Sequence, residues 1–409
     1  TAIKKSPPMR LQPALAPMDP ACACLRALLA MPNNAMSGSG AMVDKTFPMV
    51  PQPRIVTTTW EAEHTMQTQA NKDQVLAYWA ALDAAHADDL EAVCAAHLAP
   101  EFTWNGPAPL SLQTGPTAVS KVFGQPLKQA IPDLKREIHM VFAGASSGRA
   151  DGSTDGETWV CGTGYLSGHA QGQFLGIPAT DHPLRLRWGA FYKLRQGRII
   201  ECQMILDFMD WFDQIGLPVL PKSRGIAHVY PAPTGYDGVI RGPHDISQTA
   251  ETLRMGRQFL YGGLNRYDAS GLSSMGMADF FHPNVKWYGP GGIGACFSLA
   301  EFETLHQTPW LEAFPDRKVQ TLDALIAEGA LLGAAGVAGV CAIHSGAYLT
   351  TPASGKPIAV SGLDFWLRQD DKFTENWVFV DMVDLFAQMG EDLFARLHQQ
   401  IAIRSARPQ

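Results

Sequence analysis

At 409 residues, 46% hydrophobic and 17% charged, the chain is long enough for two or three domains that each bury a core. A formal net charge of −7 without a basic stripe argues against nucleic-acid binding, which needs clustered Lys and Arg. Seven cysteines with no C-x-x-C pair read as reduced, mostly buried thiols of a cytoplasmic protein rather than a disulfide framework.

Residues 1–60 are rich in Pro, Ala and Met and contain Ser37-Gly38-Ser39-Gly40, the composition of a disordered or processed leader. The apolar run from Ala21 to Met31 is interrupted by Arg26 and makes a poor secretory core. Beyond it the chain says nearly the same thing twice. Trp104, Gly106, Pro107, Ala130, Pro132, Asp133 and Lys135 recur 183 positions later as Trp287, Gly289, Pro290, Ala313, Pro315, Asp316 and Lys318. From Pro178 onward the offset is 174, so that Phe191, Glu201, Asp207, Asp210, Phe212 and Gly216 return as Phe365, Glu375, Asp381, Asp384, Phe386 and Gly390. Two constant offsets describe one duplicated unit with a single net deletion, which falls in the Gly/Ser/Asp-rich stretch after Gly144. The period is far above that of solenoid units. The chain therefore divides into a first domain at 61–218, a Pro/Gly-rich linker at 219–246, a second domain at 247–395 and a C-terminal tail at 396–409.

Each unit opens with helical periodicity. Val75, Tyr78, Trp79 and Leu82, then Leu90 and Val93, suit one or two amphipathic helices broken near Asp88; Leu253, Phe259, Leu260 and Leu264 do the same in the second unit. Short strands follow at Phe102–Trp104 and Val285–Tyr288, then a helix closed by the Pro-Asp pair, then strands joined by tight turns at Arg195–Arg198 and Gln369–Lys372. Helices followed by antiparallel strands predict an α+β fold, with the helices on one face of a strongly curved sheet. Gly329 to Ile343 is apolar throughout but too short to span a bilayer, and reads as a buried strand. Gly289 to Gly294 spells G-x-G-x-x-G, yet its counterpart Gly106 to Ser111 lacks the glycines; it reads as a turn before a helix capped by Ser298 and Glu301.

His344-Ser-Gly-Ala-Tyr348, the Pro-Asp pair and the closing Glu-x5-Asp-x2-Asp-x-Phe-x-Gln-x-Gly resemble the SnoaL-like polyketide cyclases, members of the nuclear-transport-factor-like superfamily of cone-shaped α+β barrels. The resemblance spans about 64–216 and 247–393. It implies two tandem cones, and an aspartate on a late strand that abstracts a proton next to a carbonyl and later returns it to oxygen, giving aldol-type ring closure without metal or cofactor. On that pattern Asp381, and equally Asp207, are the candidate catalysts, with His344 as a hydrogen-bonding partner. Single-repeat relatives commonly pair through their sheets, so the resemblance also implies an internal pseudo-dimer, with further homo-oligomers open.

On the strand 373–381, alternate residues Phe373, Glu375, Trp377, Phe379 and Asp381 share a face, an apolar floor ending in a carboxylate. Desolvation there raises a carboxylate pKa toward neutrality. The same two aspartates also stand three residues before Asp210 and Asp384, where a helix N-cap belongs; both readings stay open. His169 lies one residue out of register with His344, and a one-residue shift reverses the face. Asp364, opposite Ala190 in the first unit, is either a second carboxylate at a substrate site or an exposed group on the outer face. Trp104, Trp287, Tyr288 and Trp377 are the candidate substrate-lining aromatics, at the cone interior or the sheet-to-sheet contact. Glu201 and Glu375 are expected at the solvent face. No H-E-x-x-H or comparable spacing suggests a metal.

Three functions fit these residues. The first is cofactor-independent cyclase or isomerase chemistry on a bulky apolar, polyketide-like carbonyl compound; the second is a non-catalytic module that binds an apolar small molecule; the third is a hydrolase or dehydratase of the same fold. None calls for nucleic acid or membrane.

Overall fold

In the computed structural model the described residues are 57–147, 155–242, 244–268, 270–320 and 322–406, with side chains from residue 66 onward. The leader expectation falls mostly outside them. The first domain begins with α1 (Thr57–Ala84) and α2 (Leu90–His97), separated by a short 3-10 turn at Ala87–Asp89. Val75, Tyr78 and Trp79 bury one stripe of α1, as their spacing requires. Strands β1 (Leu98–Asn105) and β2 (Leu112–Thr114) follow, then α3 (Pro116–Val119) and α4 (Gln125–Ala130). Next come β3 (Lys135–Ala145), β4 (Thr158–His169), β5 (Pro183–Arg195), β6 (Arg198–Leu206) and α5 (Phe208–Gln214). The sheet order is β2-β1-β6-β5-β4-β3, antiparallel except where β1 runs parallel to β6.

The second domain repeats the plan. It contains α6 (Ile246–Arg257), α7 (Met277–Phe280), β7 (Phe281–Tyr288), β8 (Ala295–Cys296), α8 (Leu299–Phe302) and α9 (Thr308–Ala313). It continues with β9 (Lys318–Val319), β10 (Ala324–Glu328), β11 (Leu331–Ile343), β12 (Pro357–Gln369), β13 (Lys372–Val380) and α10 (Met382–Met389), ahead of a final helix α11 (Leu393–Ser405). The order is β10-β11-β12-β13-β7-β8, with β7 parallel to β13. Both sheets curve around their helices without closing. The apolar run after Gly329 is indeed buried strand β11. The Ser298 hydroxyl accepts from Glu301 N, and the Glu301 carboxylate reaches back to accept from Phe297 N, one residue before the cap, a variant of the capping box. Where the first domain joins β3 to β4 by a long loop, the second joins β10 to β11 through Gly329-Ala330 alone, which is where the repeat lost residues.

The outer faces of the two sheets pack on each other. Phe142, Trp159 and Phe191 from one meet Leu363, Phe365 and Phe379 from the other in a shared core, with Phe191 and Phe365 rings 5.3 Å apart. Gly144, Gly189 and Gly333 lie in this contact, where an added Cβ would come within 3.0 Å of Ala327, Phe379 and Phe191 respectively. A buried ion pair, Lys72 to Glu328 at 2.6 Å, links α1 to β10.

Four expectations differ from this fold. The linker is a fitted strap: Val239 bridges Val141, the Tyr165 hydroxyl accepts from Tyr230 N, and Glu375 accepts from Thr234 N. Glu375 is accordingly buried and paired with Lys286 at 3.2 Å, not exposed; its partner lies in the linker and β7, invisible to strand alternation. Residues assigned to a tail form α11, whose Phe394 packs edge-on against Phe212 of the first domain at 5.4 Å. Cys94, Cys161, Cys202 and Cys296 are free and buried, but Cys341 is disulfide-bonded, so the reduced-thiol expectation fails there; isolated cysteine spacing carries no pairing information. Among the described residues no helix is long and apolar enough to cross a membrane.

Candidate active site

Each helical layer contains a π turn at the same place, Ser120–Gly124 in the first domain and Glu303–Gln307 in the second. A π turn inserts an extra residue into the helix and swings side chains toward the sheet, a device that recurs at functional sites. In the second domain it carries His306 and Gln307 to the wall of a 150 Å³ cavity inside the cone. Trp287 of β7 stacks on His306 with ring centroids 4.3 Å apart. The equivalent pair in the first domain is Trp104 on Phe123 at 4.8 Å.

The polar groups that line the second cone include His306, Arg317, Asp364 and Asn376. At the repeat offsets their counterparts are Phe123, Leu134, Ala190 and Cys202. Every one is uncharged, and three are hydrocarbon. The first cone is also smaller, at 70 Å³; of its ionic groups, Asp83 and Arg136 pair with each other at 3.4 Å, and Lys128 donates to the Asp83 carbonyl at 3.0 Å.

Asp364 sits mid-strand on β12 and borders the cavity, so its remaining accessible surface opens there rather than on the outer face. Burial pushes its carboxyl up to about 7; a hydrogen bond from Asn376 opposes this more weakly. Asn376 is fixed by its own bond to the Phe365 carbonyl at 3.1 Å. Arg317 is buried, donating to the Leu264 carbonyl at 2.7 Å and to Met275 Sδ, and among the described residues no carboxylate forms an ion pair with it. Burial lowers its pKa to about 10, which leaves it cationic at neutral pH. Burial, reinforced by Arg317, lowers His306 as well, so its ring is neutral. Two buried cavity-lining groups have no hydrogen-bond partner in the structure, Gln307 Oε1 and Trp366 Nε1, one acceptor and one donor.

The other sequence candidates lie elsewhere. The face holding Glu375, Trp377 and Phe379 turns to the domain–domain contact, while Asn376, Val378 and Val380 reach the cone. A register shift between Phe373 and Glu375 leaves Phe373 in the cone-side core. With both faces of the strand buried, alternation could not tell which face was which. Tyr288 and Trp377 therefore pack in the interdomain core, 5.3 Å apart, with Trp377 Nε1 bonded to the Pro231 carbonyl. Trp104 and Trp287 border the two cone cavities.

Asp207 and Asp381 cap α5 and α10, accepting from Asp210 N at 3.2 Å and Asp384 N at 3.1 Å. Each also reaches the other domain: Asp207 accepts from Gly291 N at 2.9 Å, and Asp381 from Ala108 N at 2.7 Å. Gly291 and Ala108 are themselves repeat counterparts, so the contact is reciprocal. Burial, with Asp384 adding, pushes Asp381 up to about 7. His344 is buried against Phe314 and accepts from Ser354 N at 3.2 Å, which puts its proton on Nε2; it does not border the cone cavity. Its register difference from His169 is real: Asp133 accepts from His169 N as Asp316 accepts from Ile343 N. Among the described residues no group of three or more His, Cys, Asp or Glu is arranged to hold a metal.

The SnoaL-like polyketide cyclase profile matches residues 266–389, and the SnoaL-like domain profile matches 75–202. The chain is a tandem SnoaL-like protein. Among solved structures, these domains are similar to a SnoaL-like polyketide cyclase from Agrobacterium tumefaciens, at 18% identity over 36% of this chain and 98% of that one, with a TM-score of 0.27. They are similar also to TsrD from Streptomyces laurentii, at 23% identity over 34% of this chain and 96% of that one, with a TM-score of 0.29. No curated protein matches. The SnoaL-like family supplies a cyclase-type enzyme fold in both halves of the chain.

Proposed function

We propose that the second SnoaL-like domain is a cofactor-independent acid–base catalyst of cyclase or isomerase type, with Asp364 as its proton-transfer group. The observation that carries this reading is the Asp364 carboxyl in an apolar cone, poised near 7, beside polar groups absent from the first domain. In its ionised form Asp364 takes a proton from carbon next to a substrate carbonyl; in its protonated form it returns one to oxygen. Arg317 is a fixed cation for the developing enolate, and Trp366 Nε1 an unspent donor. Asn376 orients the carboxyl. A cavity of 150 Å³ matches the roughly 150 Å³ engineered cavity that holds one benzene, so the substrate class is a compact ring-bearing carbonyl compound. The first domain serves as scaffold, its cone closed by apolar side chains and an internal ion pair.

The test is α-proton exchange into deuterium oxide by a single-ring aryl methyl ketone, acetophenone, followed by proton NMR. Asp364→Asn is expected to remove the catalysed exchange by about 100-fold or more, the usual contribution of general-base catalysis. Asp381→Asn is expected to stay within a few-fold. Equal loss in both variants, or full activity in Asp364→Asn, contradicts the assignment.

A further inference from the structure

The two sides of the domain interface are built from counterpart residues but are filled differently. On one side Arg187 lies beside Asp207 and Asp210. Its guanidinium donates to the carbonyls of Gly289, at 2.9 Å, and Val378. It rests 4.0 Å from the Phe379 ring and 4.8 Å from the Tyr230 ring of the linker, and Nε is 3.9 Å from the Asp207 carboxylate. The cavity left there measures only 20 Å³.

On the other side, Asp381 and Asp384 repeat the carboxylate pair, and Gly106, Met204 and Ile205 stand for Gly289, Val378 and Phe379. Ser361 stands for Arg187. The backbone confirms the match: Arg187 O accepts from Asp207 N, and Ser361 O accepts from Asp381 N, both at 3.0 Å. All six of these residues border a cavity of 430 Å³, the largest volume among the five cavities described here. Among the described residues no Lys, Arg or His forms an ion pair with Asp381 or Asp384. Gln203, 3% exposed, also borders this cavity, and its Oε1 has no hydrogen-bond partner. A buried carboxyl beside a half-buried one, with no counter-charge, is costly to ionise, and a cation that brings its own donors removes that cost.

We propose that this interdomain cavity binds a small organic cation, an ammonium or guanidinium group on a compact apolar body, which takes the place Arg187 fills on the opposite side. The cationic group meets the Asp381–Asp384 pair and Gln203 Oε1, and the body meets Met204 and Ile205. This subsite is separate from the Asp364 cone and does not rest on its assignment.

Isothermal titration of the full chain with phenethylammonium, against neutral 2-phenylethanol, tests it. Saturable binding of the amine is expected, at least tenfold tighter than the alcohol. Ser361→Arg supplies the chain's own guanidinium and is expected to weaken amine binding at least tenfold. If that variant does not fold, Asp384→Asn, which leaves the Asp381 cap in place, is expected to weaken it at least threefold. Asp364→Asn is expected to leave it within twofold, which separates this cavity from the cone. The proposal is overturned if the wild-type chain does not bind the amine, if the alcohol binds equally, or if binding survives Ser361→Arg or Asp384→Asn unchanged.

Discussion

Asp364 shows what a single carboxyl gains and costs in an apolar cone. Its folded pKa of about 7 lies above the ordinary 3.8, so the native state holds the proton more tightly than the unfolded chain does. Stability from that proton is therefore full below about pH 4 and is lost as pH rises through about 7. Asp364→Asn, neutral throughout, is expected to match the wild type in urea melts near pH 4 and exceed it at pH 8 by about 1–3 kcal/mol. No gain at pH 8 contradicts the burial argument. Activity runs the other way, because the base must be ionised: kcat/KM for exchange is expected to rise with pH through a midpoint near 7. A stabilising mutation that removes activity is the usual signature of a functional group held at a cost. At this scale the sequence was partly legible. Aligning the repeats exposes Asp364 against Ala190, and the same comparison, carried to His306 against Phe123 and Arg317 against Leu134, would have found the rest of the set. No local motif marks those residues; only their apolar counterparts do.

At the scale of elements, helical hydrophobic spacing and capping signals were the reliable guides. The Asp-x-x-Asp pairs mark the starts of α5 and α10, and hydrophobic spacing marks α1 and α2, because these signals are local in the chain. The strap at 219–242 and the inward turn of Glu375 were illegible, since both depend on a partner distant in sequence. The Lys72–Glu328 pair is the sharpest example: it joins α1 to β10 with both side chains buried, Lys72 Nζ also donates to the Ile240 carbonyl at 2.5 Å, and Glu328 accepts from Ala143 N at 2.7 Å. Lys72→Met leaves the buried Glu328 carboxylate with only the His244 ring, 3.2 Å away, as a basic neighbour, and is expected to cost about 3–5 kcal/mol in urea unfolding. The double change Lys72→Met with Glu328→Leu is expected to recover part of that loss. A Lys72→Met variant as stable as wild type contradicts the staple role.

For the whole molecule, duplication joined two sheet faces into one core and then let the copies diverge. The glycines at 144, 189 and 333 allow the sheets to approach, and Asp207 and Asp381 tie each domain's helix cap to the other domain's loop. A fragment of residues 246–406 alone would expose Leu363, Phe365, Trp377 and Phe379, a contiguous apolar face. Light scattering on that fragment is expected to show self-association; a stable monomer contradicts the shared core. The second cone holds, in Asp364, a carboxyl poised near neutrality for proton transfer. The most direct measurement is carbon-13 NMR titration of the aspartate carboxyl signals, with Asp364→Asn to assign the resonance. The resonance lost in this variant is expected to titrate near pH 7 in the wild type; titration below pH 5 contradicts the assignment of Asp364 as the proton-transfer group.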